Sequence, residues 1–469
     1  MTDLERAVQA IERGLLTAIC IKGRPQEKMG LHTRMELRAR MAHYNVPGFS
    51  IAIIAQAEVA WARGYGVLAA SSDQPVTDET MFQAASISKP VSAMLALHLV
   101  EAGLLDLDAD VNEVLRSWKV PENEHTQVHK VTLRTLLSHT AGLTVSGFSG
   151  YPSGVQLPTL QQILDGEPPA NSEPVRVVQV PGTVYRYSGG GYIVLQQLIE
   201  DVTGVPFVRL ARELIFNKLG MANSTFEHVL PEAFISQVAT AHRDSGDPIP
   251  GKWHIYPEQA AAGLWSTPAD LARLTVEVLK SYAGDSSALL STEINRQMLS
   301  LQLGGMGLGF AIVELDGRTR FEHGGWNEGF HSFLAGDLDT GQGLVWMANG
   351  ENGKLLGLEV MRALAEVLGW PGFQVVEKSV AQLDTAVFSQ YEGKYRYVDY
   401  PDYGLVITKH GEHLFVQETP GGIRFEIYPE SETDFFCRER PEAITFVKNA
   451  SGEVEALLVG EALHLERVA

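Results

Sequence analysis

Ser86 and Lys89 stand three residues apart in the stretch FQAASISKPVSAMLALHLVEAG (residues 82–103), and no other serine of the chain has a lysine three positions on. On a helix, residues i and i+3 share a face, so a hydroxyl and an amine at this spacing can meet. A neutral amine there is a base for the hydroxyl. The partial positive charge of a helix N-terminus and a water-poor setting both favour that neutral form. Pro90 belongs in the first turn of a helix, which puts the expected start at about Ser86. The same residues also suit a plain N-cap followed by a solvated charge, so the pair alone leaves both readings open.

Two further stretches bear on the choice. YRYSGGGY (185–192) sets Tyr187 before a glycine-rich turn that opens an apolar helix, a place from which a phenol can stand at a helix mouth. FEHGGWNEGF (321–330) ends one strand and begins another, with His323 ahead of Gly324 and Gly325. Paired glycines on a strand let a substrate backbone approach closely and can leave N–H groups free for an oxyanion. Each also has a bland reading, as a turn with an aromatic anchor and as a β-bulge.

In their order, Ser86-Ile87-Ser88-Lys89, Tyr187-Ser188-Gly189 and His323-Gly324-Gly325 resemble the three motifs of the serine β-lactamase and penicillin-recognising superfamily, in particular the class C β-lactamase-like hydrolases. The phrases VPGFSIAII, LLSHTAGL and AAAGLWSTPADLARL are similar to the same family, and the resemblance spans roughly residues 30 to 370. It implies that Ser86 attacks a carbonyl while Lys89 and Tyr187 share its proton. It implies further that the backbone N–H groups of Ser86 and Trp326 hold the oxyanion, and that His323 tunes Tyr187. It implies no cofactor and no metal. Two departures stand out: Gly189 replaces an asparagine that would bond an acyl side chain, and His323-Gly324 replaces a Lys-Thr pair that receives a carboxylate. Both point from a β-lactam towards a small ester, an amide or a short peptide, with an esterase as the leading expectation. A D-amino-acid-type peptidase or amidase, a weak β-lactamase, an acyltransferase and a non-catalytic penicillin-recognising protein are the alternatives.

Composition narrows the partners. The formal net charge is −20, and no run of Lys and Arg reverses it, which argues against nucleic acid and anionic membranes. Self-association is left open. Cys20 and Cys437 lie at opposite ends of the chain, too few and too far apart for a disulfide framework. The acidic, amphipathic start MTDLERAVQAIERGLL lacks the regions of a secretory signal, and no segment has the unbroken apolar length of a membrane span. With Met1 as the start, the expectation is a cytoplasmic protein.

Other candidates are weaker. Gly48-Phe49-Ser50-Ile51-Ala52 approaches a nucleophile elbow, but Ala52 stands for the last glycine and no helix follows, so Ser50 reads as a strand residue. His125 and His129 lack the glutamate of a zinc helix. His139 reads as a helix-end histidine that bonds backbone.

These residues need a scaffold. FSIAII and EVAWARGY read as paired strands (49–54 and 58–65), and strand patterns return from about Gly304. Between them, VSAMLALHLVEAG, VTLRTLLSHTAGL, GYIVLQQLIEDVTG and TPADLARLTVEVLKSY read as helices. The Pro/Gly/Ser-rich run 145–181 reads as a long surface loop beside the cleft. The expectation is an α/β (α+β) β-lactamase-like fold: an antiparallel sheet flanked by helices, with a helical subdomain over about 100–255. Beyond it, seven short alternating runs predict a small antiparallel barrel, lipocalin-like, or a sandwich. The expected division is a hydrolase domain 1–375, a linker 376–385 and an all-β module 386–469.

Overall fold

Gly48–Ala55 is buried along nearly its whole length, the pattern of a strand with neighbours on both edges and layers on both faces. It pairs antiparallel with Glu58–Gly66 on one side and with Gly343–Ala348 on the other. Phe330–Asp337, Arg318–Asn327 and Ala311–Leu315 then complete a six-stranded antiparallel sheet. Residues three hundred positions apart therefore lie side by side at its centre, and the helical region is an excursion between them. The computed structural model describes residues 2–22, 34–286, 288–398, 403–419, 422–460 and 463–468.

The chain separates into two units, Val46–Lys354 and Met1–Asn45 with Leu355–Ala469. In the first, the helix Pro268–Ala283 lies on the sheet, touching four of its strands. Thr267 caps it through the Asp270 N–H, with Pro268 in its first turn, as the sequence leads one to expect. The helix Ser88–Glu101 has apolar residues on every side and buries eleven of its 14 residues, so it is a core element. Gly189–Thr203 is closed by Gly204 in the left-handed conformation.

Three local expectations need correction. The helix behind Ser86 begins at Ser88, so Ser86 sits in the turn ahead of it. The pattern VTLRTLLSHTAGL forms a helix only over Leu133–Leu137, because His139 takes a positive φ of 57° and turns the chain away. The run 145–181 contains a helix, Leu160–Asp165, started by a capping box between Thr159 and Gln162.

In the second unit, the seven expected runs are joined by an eighth strand, Leu463–Val468, which pairs with Gly393–Tyr397 and closes the barrel. Its interior holds Tyr391, Phe435 and Phe446 with ring centroids 4.5–5.3 Å apart. Cys20 and Cys437 are both buried in this unit. Among the described residues no helix is long and apolar enough to cross a membrane.

Candidate active site

The strand Phe82–Ala85 delivers Ser86. Ala85 has a positive φ of 50°, unusual for a residue with a Cβ, and the chain turns sharply there. The Lys89 N–H donates to the Ser86 carbonyl at 3.0 Å, so the turn runs directly into the helix. The i,i+3 spacing then works as anticipated, although Ser86 is outside the helix. Lys89 Nζ donates to Ser86 Oγ at 2.9 Å and to the Ala261 carbonyl at 2.9 Å. Lys89 is itself buried, with 2% of its surface exposed.

Two serines that the sequence reading passed over hold this geometry. Ser88 Oγ donates to the Ala85 carbonyl at 2.6 Å and accepts from the Leu264 N–H at 3.0 Å. Ser92 Oγ donates to the Ala260 carbonyl at 2.9 Å. With Lys89 they bind the segment 260–264 along the helix. Their signal was visible: polar residues inside an otherwise apolar helix need buried partners.

Tyr187 precedes the helix Gly189–Thr203, whose N-cap is Ser188. Its ring lies under the Lys89 ammonium, 4.9 Å from Nζ to the centroid. Gly189 leaves no room for the asparagine of related motifs: a Cβ there would lie 2.8 Å from the ring of Phe148, from the 145–181 segment. The amide's place is taken by an aromatic edge.

His323 enters from the strand Arg318–Asn327. Its Nδ1–H donates to the Gly324 carbonyl at 2.7 Å, which leaves Nε2 as the acceptor. Burial and the nearby Lys89 charge push its pKa down to about 3, so the ring is neutral where a lysine would be charged. Gly324 and Gly325 differ in their surroundings. A Cβ on Gly324 would meet nothing closer than 3.9 Å, whereas one on Gly325 would lie 2.2 Å from the Ala84 carbonyl and 2.3 Å from Ser332 Oγ. Gly325 is thus where this strand presses against the one that ends at Ser86. Trp326 follows, 63% exposed, its Nε1–H donating to Glu351 at 2.6 Å.

His139 is fully enclosed, and burial, the Lys89 charge and His323 hold its pKa well below the usual histidine range. Its ring lies 4.2 Å from that of Tyr187. Glu258, just before the segment that carries Ala261, is also fully buried. Among the described residues neither of its carboxyl oxygens has a hydrogen-bond partner, and burial raises its pKa to about 8. A carboxyl so placed is neutral at pH 7. Ser50 remains in its strand, buried, and does not join the cluster.

The Beta-lactamase family model matches residues 34–367. Penicillin-binding protein 4 of Amycolatopsis lactamdurans is 28% identical over 331 residues, covering 67% of this chain and 83% of that one. Esterase EstB of Burkholderia gladioli is 29% identical over 192 residues, 39% of this chain and 48% of its own. The octameric penicillin-binding protein homologue from Pyrococcus abyssi superposes with a TM-score of 0.62 at 22% identity, covering 92% of this chain and 98% of that one.

Proposed function

Since the chain belongs to the Beta-lactamase family, we propose that it is a cofactor-free serine hydrolase that acts through an acyl-enzyme on small neutral esters. One observation carries the reading: the 2.9 Å contact between Lys89 Nζ and Ser86 Oγ beside the Tyr187 ring. With a neutral amine the contact runs in the opposite sense, and the Ser86 proton passes to Nζ as Oγ attacks the carbonyl. The C–O bond to the leaving alcohol then breaks as Tyr187 gives it the phenolic proton, and the proton held on Nζ passes to Tyr187 in its place. Water, activated by the same pair, releases the acid and restores Ser86. The N–H groups of Ser86 and Trp326 are the oxyanion donors in this scheme.

Ester over β-lactam follows from what the third motif offers. A substrate carboxylate meets the neutral His323 and the bare backbone of Gly324, where the Lys-Thr pair of the related motif presents a cation and a hydroxyl. The loss of a charged contact costs about 1–3 kcal/mol of recognition. Likeness to an esterase supports the same choice. Residues 1–375 form the hydrolase region in this reading, and 386–469 an accessory module.

The test is a panel of p-nitrophenyl esters, nitrocefin and D- and L-amino-acid anilides, with Ser86→Ala and Tyr187→Phe as controls. Short-chain esters turn over fastest, and fluorophosphonate labels Ser86 stoichiometrically. Absence of labelling would sink the enzyme reading in favour of a binding protein. Faster anilide hydrolysis would replace esterase by amidase.

A further inference from the structure

We propose that His139 is the positioning residue of Tyr187. The inference rests on the reading above, in which Tyr187 carries a proton. Both peptide N–H groups flanking Tyr187 end on this one residue: Arg186 N–H donates to the His139 carbonyl at 2.8 Å, and Ser188 N–H donates to His139 Nδ1 at 3.1 Å. Between these two bonds the imidazole lies against the Tyr187 ring, 4.2 Å between centroids at an interplanar angle of 31°. Backbone on each side and ring face are thus held from one point 48 residues earlier in sequence.

The backbone of His139 is bent for this purpose. Its φ of 57° is in the left-handed region, uncommon for a residue with a Cβ although histidine enters it more readily than most. A left-handed residue redirects its carbonyl away from the helix that precedes it, and that carbonyl is the acceptor for Arg186. Strain of this kind persists where the surroundings impose it, commonly at functional sites. The neighbouring residues are fixed too: Gly182 N–H donates to the Thr140 carbonyl at 2.8 Å and Tyr192 Oη–H to the Leu137 carbonyl at 3.0 Å.

The tautomer follows from chemistry. A peptide N–H can only donate, so Nδ1 must accept and the ring proton sits on Nε2. That atom is buried without a hydrogen-bond partner among the described residues. Lys89 supplies the charge nearest the ring, and His323, Tyr185, Tyr187 and Tyr192 are the other titratable groups against it. Protonation would turn Nδ1 into a donor facing the Ser188 N–H, so the arrangement exists only with a neutral imidazole.

Asparagine is the discriminating substitution. Its Oδ1, like Nδ1, is attached to Cγ and accepts, and asparagine tolerates the left-handed backbone better than other residues with a Cβ. On a p-nitrophenyl ester, His139→Ala lowers kcat about 100-fold, the size of effect that a misplaced catalytic group produces, with KM within about threefold. His139→Asn recovers at least about tenfold of that loss, and His139→Gly, which relieves the backbone without restoring the acceptor, does not. His139→Gln, with its acceptor one methylene farther out, serves as the impaired partner should the alanine variant fail to fold. Equal kcat in the asparagine variant and its impaired partner overturns the proposal, as does a loss that tracks melting temperature alone. If Tyr187→Phe is inactive while His139→Ala matches the wild type, only the positioning role falls. If Tyr187→Phe keeps wild-type turnover, the function reading falls and takes this role with it.

Discussion

The barrel and the surroundings of Ser86 are both densely buried, and they are filled in opposite ways. Inside the barrel, Tyr391, Phe435 and Phe446 meet edge to face or tilted, and the Tyr391 and Tyr395 hydroxyls each reach a backbone carbonyl. In the unit that holds Ser86, the side chains of Lys89, His139, His323 and Glu258 are buried, two of them with polar atoms that find no hydrogen-bond partner among the described residues. A core of satisfied aromatics stabilises by area removed from water. A core with buried polar groups gives up part of that stability, and what it gains is groups whose protonation its surroundings control.

Four experiments press on this contrast. Lys89→Gln carries the largest effect: activity on a p-nitrophenyl ester falls by about 10²–10⁴-fold, the range for loss of a general base. The melting temperature moves little, because a buried charge leaves with the function. Phe446→Ala in the barrel should do the reverse, costing about 3–5 kcal/mol in denaturant unfolding while folded protein keeps its kcat. A barrel variant that altered kcat as strongly as Lys89→Gln would erase the distinction. Gly325→Ala comes next, since its methyl would enter the Ala84 carbonyl. We expect about 1–3 kcal/mol of destabilisation with lost activity, against near-neutral folding for Gly324→Ala. Equal unfolding midpoints for the two glycine variants would contradict the close approach.

The fourth effect is pH-dependent and vanishes at acid pH. The Glu258 pKa is raised from 4.5 to about 8 on folding, so its stabilising balance is complete below about pH 4.5 and is lost as pH rises through 8. Within that window the unfolded chain is ionised and the folded one is not, so stability falls as pH rises on this group's account. Glu258→Gln removes the slope. Unfolding midpoints of the variant and wild type, compared at pH 5 and pH 8, should shift in favour of the variant at the higher pH. A difference that stays constant with pH would show that the carboxyl is ionised when folded.

Legibility in the sequence followed the range of the interaction. The contact of Ser86 with Lys89 was readable because three residues separate them, and the turn that leads into the helix gives the spacing a helix would. The pairing of Gly48–Ala55 with Gly343–Ala348 was readable in outline from strand patterns at both ends of a helical stretch. His139 was readable as a histidine bonding backbone, yet its partners at 186 and 188 were not, since they depend on a positive φ that composition does not announce. The Leu160–Asp165 helix carried its own signal in Thr159 and Gln162, hidden by the prolines and glycines around it. The final strand LHLERV alternates as plainly as its neighbours, and only its position at the end of the chain set it apart. The tight spot at Gly325 had no sequence signal beyond a doubled glycine, because its neighbour Ala84 is 241 residues away.

Closure of the barrel has a consequence for assembly. Leu463–Val468 pairs with Gly393–Tyr397, so among the described residues the barrel wall has no unpaired edge strand. The six-stranded sheet does end in edges, at Glu58–Gly66 and Ala311–Leu315. Strand exchange and template-driven aggregation need such an edge. Among the described residues, addition of a foreign strand can therefore begin at the open sheet and not at the barrel wall.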